Sequence, residues 1–205
     1  MTAPAGFIGR AGFLSSDEDQ LLRGLIRGYR EDVGWRANLQ FGRPTKRRFR
    51  CYGYHYESGT LELQDGVPGI LIPLRERVSR FAGLLPEVLE QITVSRYVRG
   101  EKVGPHMDWG GYGDVACISL GSEGVLKFTR ENSPPLRHRV EPGSLYILRG
   151  ESRWAWKHET KPAWEPRYAI TFRPFRPGIP RSGQACPLIR VPKKIPPPQG
   201  EHLER

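Results

Sequence analysis

Cysteine is scarce in this chain. Three cysteines, Cys51, Cys117 and Cys186, occur among 205 residues, and no two have CxxC spacing. An odd number of unpaired cysteines argues against a disulfide framework and against a zinc site made from thiolates. We therefore expect reduced cysteines that pack inside an intracellular protein.

Long apolar runs are also lacking. No stretch approaches the roughly 18 apolar residues that a membrane span requires, and residues 1–10 lack a charged region followed by an apolar one. We expect no signal peptide, no membrane association and a cytoplasmic, nucleoid or nuclear location. A chain of 205 residues with 38% hydrophobic residues can form one domain with a single core, and we expect a monomer.

Positive charge and turn-forming residues are abundant. The formal net charge is +10, which attracts polyanions such as nucleic acid but would suit an acidic protein equally. The 24 glycines and 19 prolines indicate many turns between short elements, which favours β structure over a helical bundle.

The first 90 residues have helical patterns and one segment rich in arginine and tyrosine. Ser15 and Ser16 precede three acidic residues and an apolar helical repeat, which predicts a capped amphipathic helix. A second helix is predicted from Pro73 to Phe81. Its apolar side would carry Leu74, Val78 and Phe81, and Arg75, Arg77 and Arg80 would lie off that side. Between the helices, a basic run that includes Arg48 and Arg50 leads into Tyr52, Tyr54 and Tyr56, whose alternation predicts a strand with one aromatic face.

From residue 91 the pattern changes to short β-prone runs. They are Ile92–Val98, Val115–Leu120, Val125–Thr129, Leu136–Val140, Ser144–Leu148 and Tyr168–Phe172. Short strands at regular spacing predict a barrel or a double-sheet jelly roll. We expect one structural domain with three parts: helices and a lid over residues 1–90, a jelly-roll core over 91–175, and a basic proline-rich tail over 176–205, extended or disordered.

Three side chains in this β region have the chemistry of an iron site. His106 and Asp108 follow the strand that ends near Val98, and His158 follows the strand that ends near Leu148. Two imidazoles and a carboxylate can occupy one face of an octahedral iron(II) and leave three positions for a bidentate oxoacid and dioxygen. A His-x-Asp pair alone is weak evidence for a metal site, because this spacing also occurs by chance.

Two later arginines strengthen this interpretation. Arg167 and Arg173 lie six residues apart in a β-prone run, so both side chains point to one sheet face. Alone, they could be solvent-facing residues of an edge strand. Together with the three metal-ligand candidates, they favour a site for a dicarboxylate, because a guanidinium binds a carboxylate with two parallel hydrogen bonds.

The motifs over residues 91–175 resemble those of the AlkB family of Fe(II)/2-oxoglutarate-dependent dioxygenases. The resemblance is carried by Tyr97-Val-Arg-Gly-Glu-Lys-Val-Gly-Pro-His106-Met-Asp108, by Ile118-Ser-Leu-Gly121, by the Gly150-Glu-Ser-Arg153 turn before His158, and by Arg167-Tyr-Ala-Ile-Thr-Phe-Arg173. The Tyr52–Tyr56 segment looks like the substrate lid of homologues near the tRNA-modifying branch. The implied fold is mainly β: a double-stranded β-helix, or jelly roll, with flanking helices and an N-terminal helical and lid extension.

The resemblance also implies roles for individual residues. His106, Asp108 and His158 would bind the catalytic iron(II), and dioxygen and 2-oxoglutarate would be co-substrates. Arg167 would pair with the 2-oxoglutarate carboxylate far from the metal. Arg173 would interact with the carboxylate end near the metal. The Tyr97 hydroxyl would donate to the same molecule, beside Ser95, which stands where family members often have asparagine.

The implied activity is oxidative demethylation of alkylated bases, such as 1-methyladenine and 3-methylcytosine, in single-stranded or duplex DNA or RNA. A tRNA-base hydroxylase, a protein demethylase or hydroxylase, and a catalytically silent module are the alternatives. An enzyme that acts on a base must reach it outside the stack, so aromatic side chains and phosphate contacts are expected. The candidates are Tyr52, Tyr54, Tyr56, Trp109, Tyr112, Arg48 and Arg50. Alternatively, the tyrosines pack in the core or on an edge strand and the basic run is a solvated loop.

Overall fold

The computed structural model describes residues 3–28, 35–40, 43–57 and 60–179. The strands are β1 (Phe7–Arg10), β2 (Arg36–Gln40), β3 (Arg43–Glu57), β4 (Thr60–Leu63), β5 (Gln91–Tyr97), β6 (Val115–Gly121), β7 (Gly124–Thr129), β8 (Leu136–Val140), β9 (Leu145–Leu148), β10 (Lys157–Thr160) and β11 (Arg167–Arg173). The α-helices are α1 (Ser16–Gly28), α2 (Ile72–Ala82) and α3 (Gly150–Trp154), and short 3-10 helices span Gly69–Leu71 and Pro86–Val88. Cys186 and the tail from residue 180 lie outside the described residues.

The strands of the described residues form two antiparallel sheets. The larger has the order β1-β9-β6-β11-β5-β3-β2, with β4 paired to β3, and the smaller has the order β10-β7-β8. This confirms the predicted mainly β, jelly-roll fold. Because β1 pairs with β9 and β3 pairs with β5, residues from before and after position 90 share the larger sheet.

The two faces of the larger sheet bury different clusters. On β6, Ile118 and Leu120 belong to the core cluster that also contains Leu74 and Val78 of α2. The alternate residue Cys117 belongs to a second cluster with Phe128 of the smaller sheet. This division follows from the pleat, which sends successive side chains to opposite faces. The larger sheet therefore has a helix-covered face and a face turned toward the smaller sheet.

The first two helices lie where the sequence predicts them. The Ser15 amide donates to Glu18 Oε2 at 2.9 Å and the Glu18 amide donates to Ser15 Oγ at 3.2 Å, which closes a capping box before α1. In α2, Leu74 and Val78 are buried as expected, but Phe81 is 38% exposed and packs edge-on against Phe13. No helix among the described residues is long and apolar enough to span a membrane.

The prediction that β3 has a single aromatic face is wrong. Up to Gly53 the strand pairs with β5, and from Tyr54 onward it pairs with β4. Gly53 has a φ of 75°, and a Cβ there would overlap the Glu90 carbonyl oxygen, so only glycine fits the change of partner. Tyr52 is consequently 2% exposed in the helix-side core, while Tyr54 and Tyr56 pack against a separate cluster that includes Tyr112.

Candidate metal centre and adjoining cavities

His106, Asp108 and His158 come together between the sheets. Each offers one ligand atom, and these atoms lie within 4.8 Å of one another. The His106 amide donates to the His158 carbonyl oxygen at 3.0 Å, and the His158 amide donates back at 2.8 Å. His158 does not directly follow the strand that ends at Leu148, as the sequence had indicated. It lies on β10, after α3, and opposite Phe128 of β7.

The donor atoms of this triad fit iron(II). His106 Nδ1 lies 2.9 Å from the Gly104 carbonyl oxygen, and donation to that oxygen leaves Nε2 as the ligand atom. Asp108 Oδ1 accepts from Arg173 Nε at 3.0 Å, whereas Oδ2 is buried without a hydrogen-bond partner among the described residues and lies 3.5 Å from His158 Nε2. A buried carboxylate oxygen without a donor is costly unless a cation binds it. Two imidazoles and this carboxylate match the facial triad of iron(II) oxygenases.

The local field keeps His158 and Asp108 in their metal-binding protonation states. Burial, followed by the neighbouring His106, lowers the pKa of His158 to about 4, which leaves the imidazole neutral near pH 7. Burial alone would raise the pKa of Asp108. The Arg173 guanidinium and the His158 ring outweigh that effect and hold the pKa of Asp108 well below its usual range. The carboxylate is therefore ionised.

Arg153 supports the segment that carries Asp108, and the sequence had singled it out only as part of a motif. Its guanidinium donates to the carbonyl oxygens of Gly113 at 2.9 Å, Trp109 at 2.9 Å, Tyr112 at 3.1 Å and Asp108 at 3.3 Å. Only 2% of Arg153 is exposed, and its burial lowers the pKa of the guanidinium to about 10, so it remains charged. A buried charge held by several carbonyls fixes the course of the 108–113 segment.

Two cavities meet at the metal triad. One, of about 60 Å³, extends along β5 and β11 and is lined by Ser95, Tyr97, Arg167 and both histidines of the triad. The other, of about 280 Å³, opens beside Tyr56 and Trp109. His106, Asp108 and Arg173 line both. A molecule in either cavity would therefore reach the same metal.

The smaller cavity has an arginine at each end. Arg167 lies opposite Tyr97 on β5, and its Nε donates to Ser119 Oγ at 3.2 Å. Arg173 lies six residues farther along β11, where Nη1 donates to Gln91 Oε1 at 2.8 Å. Gly124 makes room for Arg167, because a Cβ there would lie 2.8 Å from the Arg167 Nε.

The larger cavity is walled by aromatic rings and two arginines, Arg47 and Arg173. Tyr56 and Trp109 stack with ring centroids 3.8 Å apart and planes 6° from parallel. Tyr112 meets Trp109 edge-on at 5.2 Å, and Tyr54 packs against Phe175 behind them. Four of the five predicted aromatic residues are thus brought together, and Tyr52 is the exception.

Arg48 and Arg50 do not line either cavity. Arg47, Phe49 and Cys51 do, and the strand pleat turns the intervening arginines to the other face. Arg50 donates to Asp65 Oδ2 at 2.9 Å, and its guanidinium lies 5.3 Å from the Tyr52 ring. Arg47 instead donates to Ser95 Oγ at 3.2 Å, beside both cavities. Arg47 adjoins Arg48 in the same basic run of the sequence, but the alternation of side chains along the strand was needed to single it out.

Comparisons with known proteins identify a matching family and several similar relatives. The family model of the 2OG-Fe(II) oxygenase superfamily matches residues 19–173. A mouse protein named tRNA (carboxymethyluridine(34)-5-O)-methyltransferase ALKBH8 is 29% identical over 168 residues, which cover 78% of this chain and 24% of that protein. An Arabidopsis thaliana protein named alkylated DNA repair protein ALKBH8 homolog is 26% identical and covers 55% of this chain and 41% of its own length.

Solved structures share the fold. The structure of OsALKBH1 aligns with a TM-score of 0.62 and 16% identity, covering 84% of this chain and 100% of the other. A Pseudomonas putida prolyl-4-hydroxylase aligns with a TM-score of 0.58 and 16% identity, covering 83% of this chain and 93% of the other. At this identity the likeness concerns the fold alone. The chain spans about a quarter of the length of the ALKBH8 proteins from mouse, Xenopus tropicalis and Macaca fascicularis that it matches.

Proposed function

This chain belongs to the 2OG-Fe(II) oxygenase superfamily and is a 2-oxoglutarate-dependent dioxygenase of the AlkB type, and from that premise we propose that it oxidises an alkyl group on a nucleic-acid base. One observation carries the proposal: the metal triad lies where the smaller, narrow cavity, which has an arginine at each end, meets the larger, aromatic cavity. The first suits a small dicarboxylate, and the second suits a flat base.

In this proposal the narrow cavity binds 2-oxoglutarate. Arg167, which is 4% exposed, would pair with the carboxylate far from the metal, and the Tyr97 hydroxyl would donate to the same end. Arg173 would attract the near end while it continues to hold Asp108. Ser95 and Arg47, already hydrogen-bonded to each other, would form the wall between the co-substrate and the substrate. Guanidinium groups suit this task because they stay charged and bind carboxylates with fixed geometry.

The metal would be held by His106, Asp108 and His158. When bound, iron(II) supplies the activation of dioxygen that couples decarboxylation of 2-oxoglutarate to succinate with insertion of one oxygen atom into a substrate C–H bond. The chain's own residues orient the reactants. Arg173 holds the Asp108 carboxylate in position, and Arg153 fixes the backbone on both sides of Trp109. On an N-methyl group, the hydroxylated carbon then leaves as formaldehyde and the proton returns to nitrogen.

The substrate base would enter the aromatic cavity. A base must leave its stack to reach a buried metal, and aromatic rings compensate for the lost stacking. Tyr56 and Trp109 offer such rings, and the Trp109 Nε1 is a buried donor that has no hydrogen-bond partner within the described part of the chain. Arg47, at the edge of the cavity, could neutralise a phosphate. A modified tRNA base is the variant of this proposal that the ALKBH8 relatives favour, since one of their names specifies a tRNA uridine.

A substrate panel tests the proposal. Purified protein is supplied with iron(II), 2-oxoglutarate and, in parallel, N-methylated single-stranded DNA, methylated RNA, tRNA and a methylated peptide, and succinate and formaldehyde are measured. We expect the nucleic acids to stimulate succinate release above the level without substrate. Stimulation by the peptide alone would overturn the assignment of a nucleic-acid substrate and leave the oxygenase intact.

A further inference from the structure

Another concave surface lies away from the metal. We refer to it as the α2 hollow; it has a volume of about 390 Å³ and is lined by Arg10, Phe13, Arg77, Arg80 and Phe81. It combines the end of β1 with the last turn of α2. Three of its five lining residues are arginines, so it concentrates positive charge at one point of the surface.

The α2 hollow is on the opposite face of the larger sheet from the catalytic centre. Phe13 packs against the helix-side core cluster, which contains Val78 of α2. The smaller cavity beside the metal triad adjoins the other cluster, which contains Cys117 and Ala169. A ligand in the hollow therefore cannot be the reacting group, and it would bind through a separate part of its molecule.

Two of the three arginines have no side-chain partner in the part of the chain that the structure describes. Arg77 forms an ion pair with Glu18 and donates to the Phe13 carbonyl oxygen at 2.7 Å. Arg10 and Arg80 are exposed, and their side chains form neither an ion pair nor a hydrogen bond with any of the described residues. Nearby unpaired guanidinium groups repel each other, and an anion between them would relieve that repulsion.

The floor of the hollow is aromatic. The Phe13 and Phe81 rings meet edge-on with centroids 6.0 Å apart, and the Arg77 guanidinium covers Phe13 at 5.1 Å. The Phe13 ring is thus already in contact with Arg77, whereas 38% of the Phe81 surface is exposed. An exposed ring beside unpaired guanidinium groups offers both a stacking surface and phosphate contacts, the combination that single-stranded nucleic acid uses.

We propose that the α2 hollow docks a stretch of the nucleic-acid substrate outside the reacting nucleotide. Phosphates would contact Arg10 and Arg80, and one base would stack on Phe81. This inference rests on the proposed function, since it assumes a nucleic-acid substrate. An acidic polypeptide would satisfy the arginines equally, but its carboxylates bring no flat ring for Phe81, so the aromatic floor favours a nucleotide.

Binding of an unmodified, fluorescently labelled single-stranded RNA to the full chain tests the proposal by fluorescence anisotropy. The variants are R10Q/R80Q and Phe81→Leu, which keeps an apolar side chain against Phe13. The matched control is R99Q/R137Q, which removes the same charge from two exposed arginines elsewhere, whose side chains form no ion pair or hydrogen bond with the described residues. Circular dichroism and thermal unfolding establish that each variant is folded.

We expect R10Q/R80Q to weaken RNA binding about tenfold near 0.1 M salt and to reduce the slope of log affinity against log salt by about 1.4, the value for two phosphate contacts on a single strand. Phe81→Leu should weaken binding about fivefold with the slope unchanged, and R99Q/R137Q should stay within about twofold. Equal losses in R10Q/R80Q and R99Q/R137Q would overturn the proposal, because they would indicate nonspecific attraction.

Two further results would also contradict it. If poly-glutamate competes as well as RNA and Phe81→Leu has no effect, the hollow is a surface for acidic proteins. If R10Q/R80Q binds RNA like the unmodified chain while methylated RNA still stimulates succinate release, the docking site is wrong and the proposed function stands. Failure of the unmodified chain to bind any nucleic acid would instead contradict both the docking site and the proposed function.

Discussion

Arg173 binds one oxygen of the Asp108 carboxylate and leaves the other oxygen turned toward His158. Its Nε and Nη2 lie 3.0 and 2.9 Å from Asp108 Oδ1, and Nη1 donates to Gln91 Oε1 at 2.8 Å. One planar guanidinium therefore links the metal-binding carboxylate to β5. A lysine ammonium at this position could not make all of these contacts at once.

We accordingly expect Arg173→Lys to weaken iron(II) binding about 10- to 100-fold, the usual effect of losing a group that orients a metal ligand. Anaerobic titration calorimetry with iron(II) measures the affinity. Arg176→Lys is the matched control, because Arg176 lies over Trp154 and has no contact with the Asp108 carboxylate in the described structure. Unchanged affinity in Arg173→Lys would mean that the carboxylate needs no such support.

Arg153→Met should destabilise the protein by about 3 kcal/mol, since it leaves several buried carbonyl oxygens without a donor. Denaturant unfolding gives the free energy, and hydrogen exchange should report faster opening of the 109–113 segment. Arg130→Met is the control: Arg130 forms an ion pair with Glu151 at the surface, where such pairs contribute about 0–1 kcal/mol. Equal losses in the two variants would contradict the clamping role.

Gly124→Ala should raise the apparent KM for 2-oxoglutarate about tenfold, because the added Cβ would lie 2.8 Å from the Nε of the buried Arg167 and displace it. RNA affinity should not change, since the substitution lies outside the aromatic cavity. Gly24→Ala on α1 is the matched control, with open space around the new methyl group. A normal KM in Gly124→Ala would argue against Arg167 as the carboxylate partner.

Tyr56→Leu should lower kcat/KM on a methylated oligonucleotide about tenfold through loss of the ring that stacks on Trp109. Decarboxylation of 2-oxoglutarate without substrate should remain as it was, because Tyr56 does not line the smaller cavity. Tyr56→Phe keeps the ring and should retain most of the activity. A similar loss of kcat/KM in Tyr56→Phe would mean that the hydroxyl, and not the ring, is responsible for the effect.

The jelly roll and the assembly of the metal triad follow from local patterns. Arg167 and Arg173 share a face because six residues on a strand preserve the side-chain direction, and β11 is a regular strand. Several predicted strands differ from those in the structure by one or two residues at their ends. Two short elements were missed: α3 lies between Leu148 and His158, and His158 itself lies on β10. Neither element has a strong periodic pattern.

The substrate side was harder to predict, because one residue changes the direction of a strand. Gly53 adopts a left-handed conformation, so Tyr52 and Tyr54 lose the common face that alternation would give them. The register against β5 then assigns Arg47, not Arg48 or Arg50, to the cavities. The role of Arg153 depends on carbonyl groups about 40 residues away in sequence, which no local pattern reveals.

The most direct measurement is iron-dependent succinate release by the unmodified chain and by Asp108→Asn. Asparagine keeps an oxygen for Arg173 but removes the charge that would bind the metal, so the fold should survive, as thermal unfolding would verify. We predict succinate, with formaldehyde when the substrate carries an N-methyl base, from the unmodified chain, and at least a hundredfold less, on the order of 3 kcal/mol in activation free energy, from the variant. Undiminished turnover in folded Asp108→Asn, or iron-independent turnover by the unmodified chain, would contradict the assignment of His106, Asp108 and His158 as the catalytic metal centre.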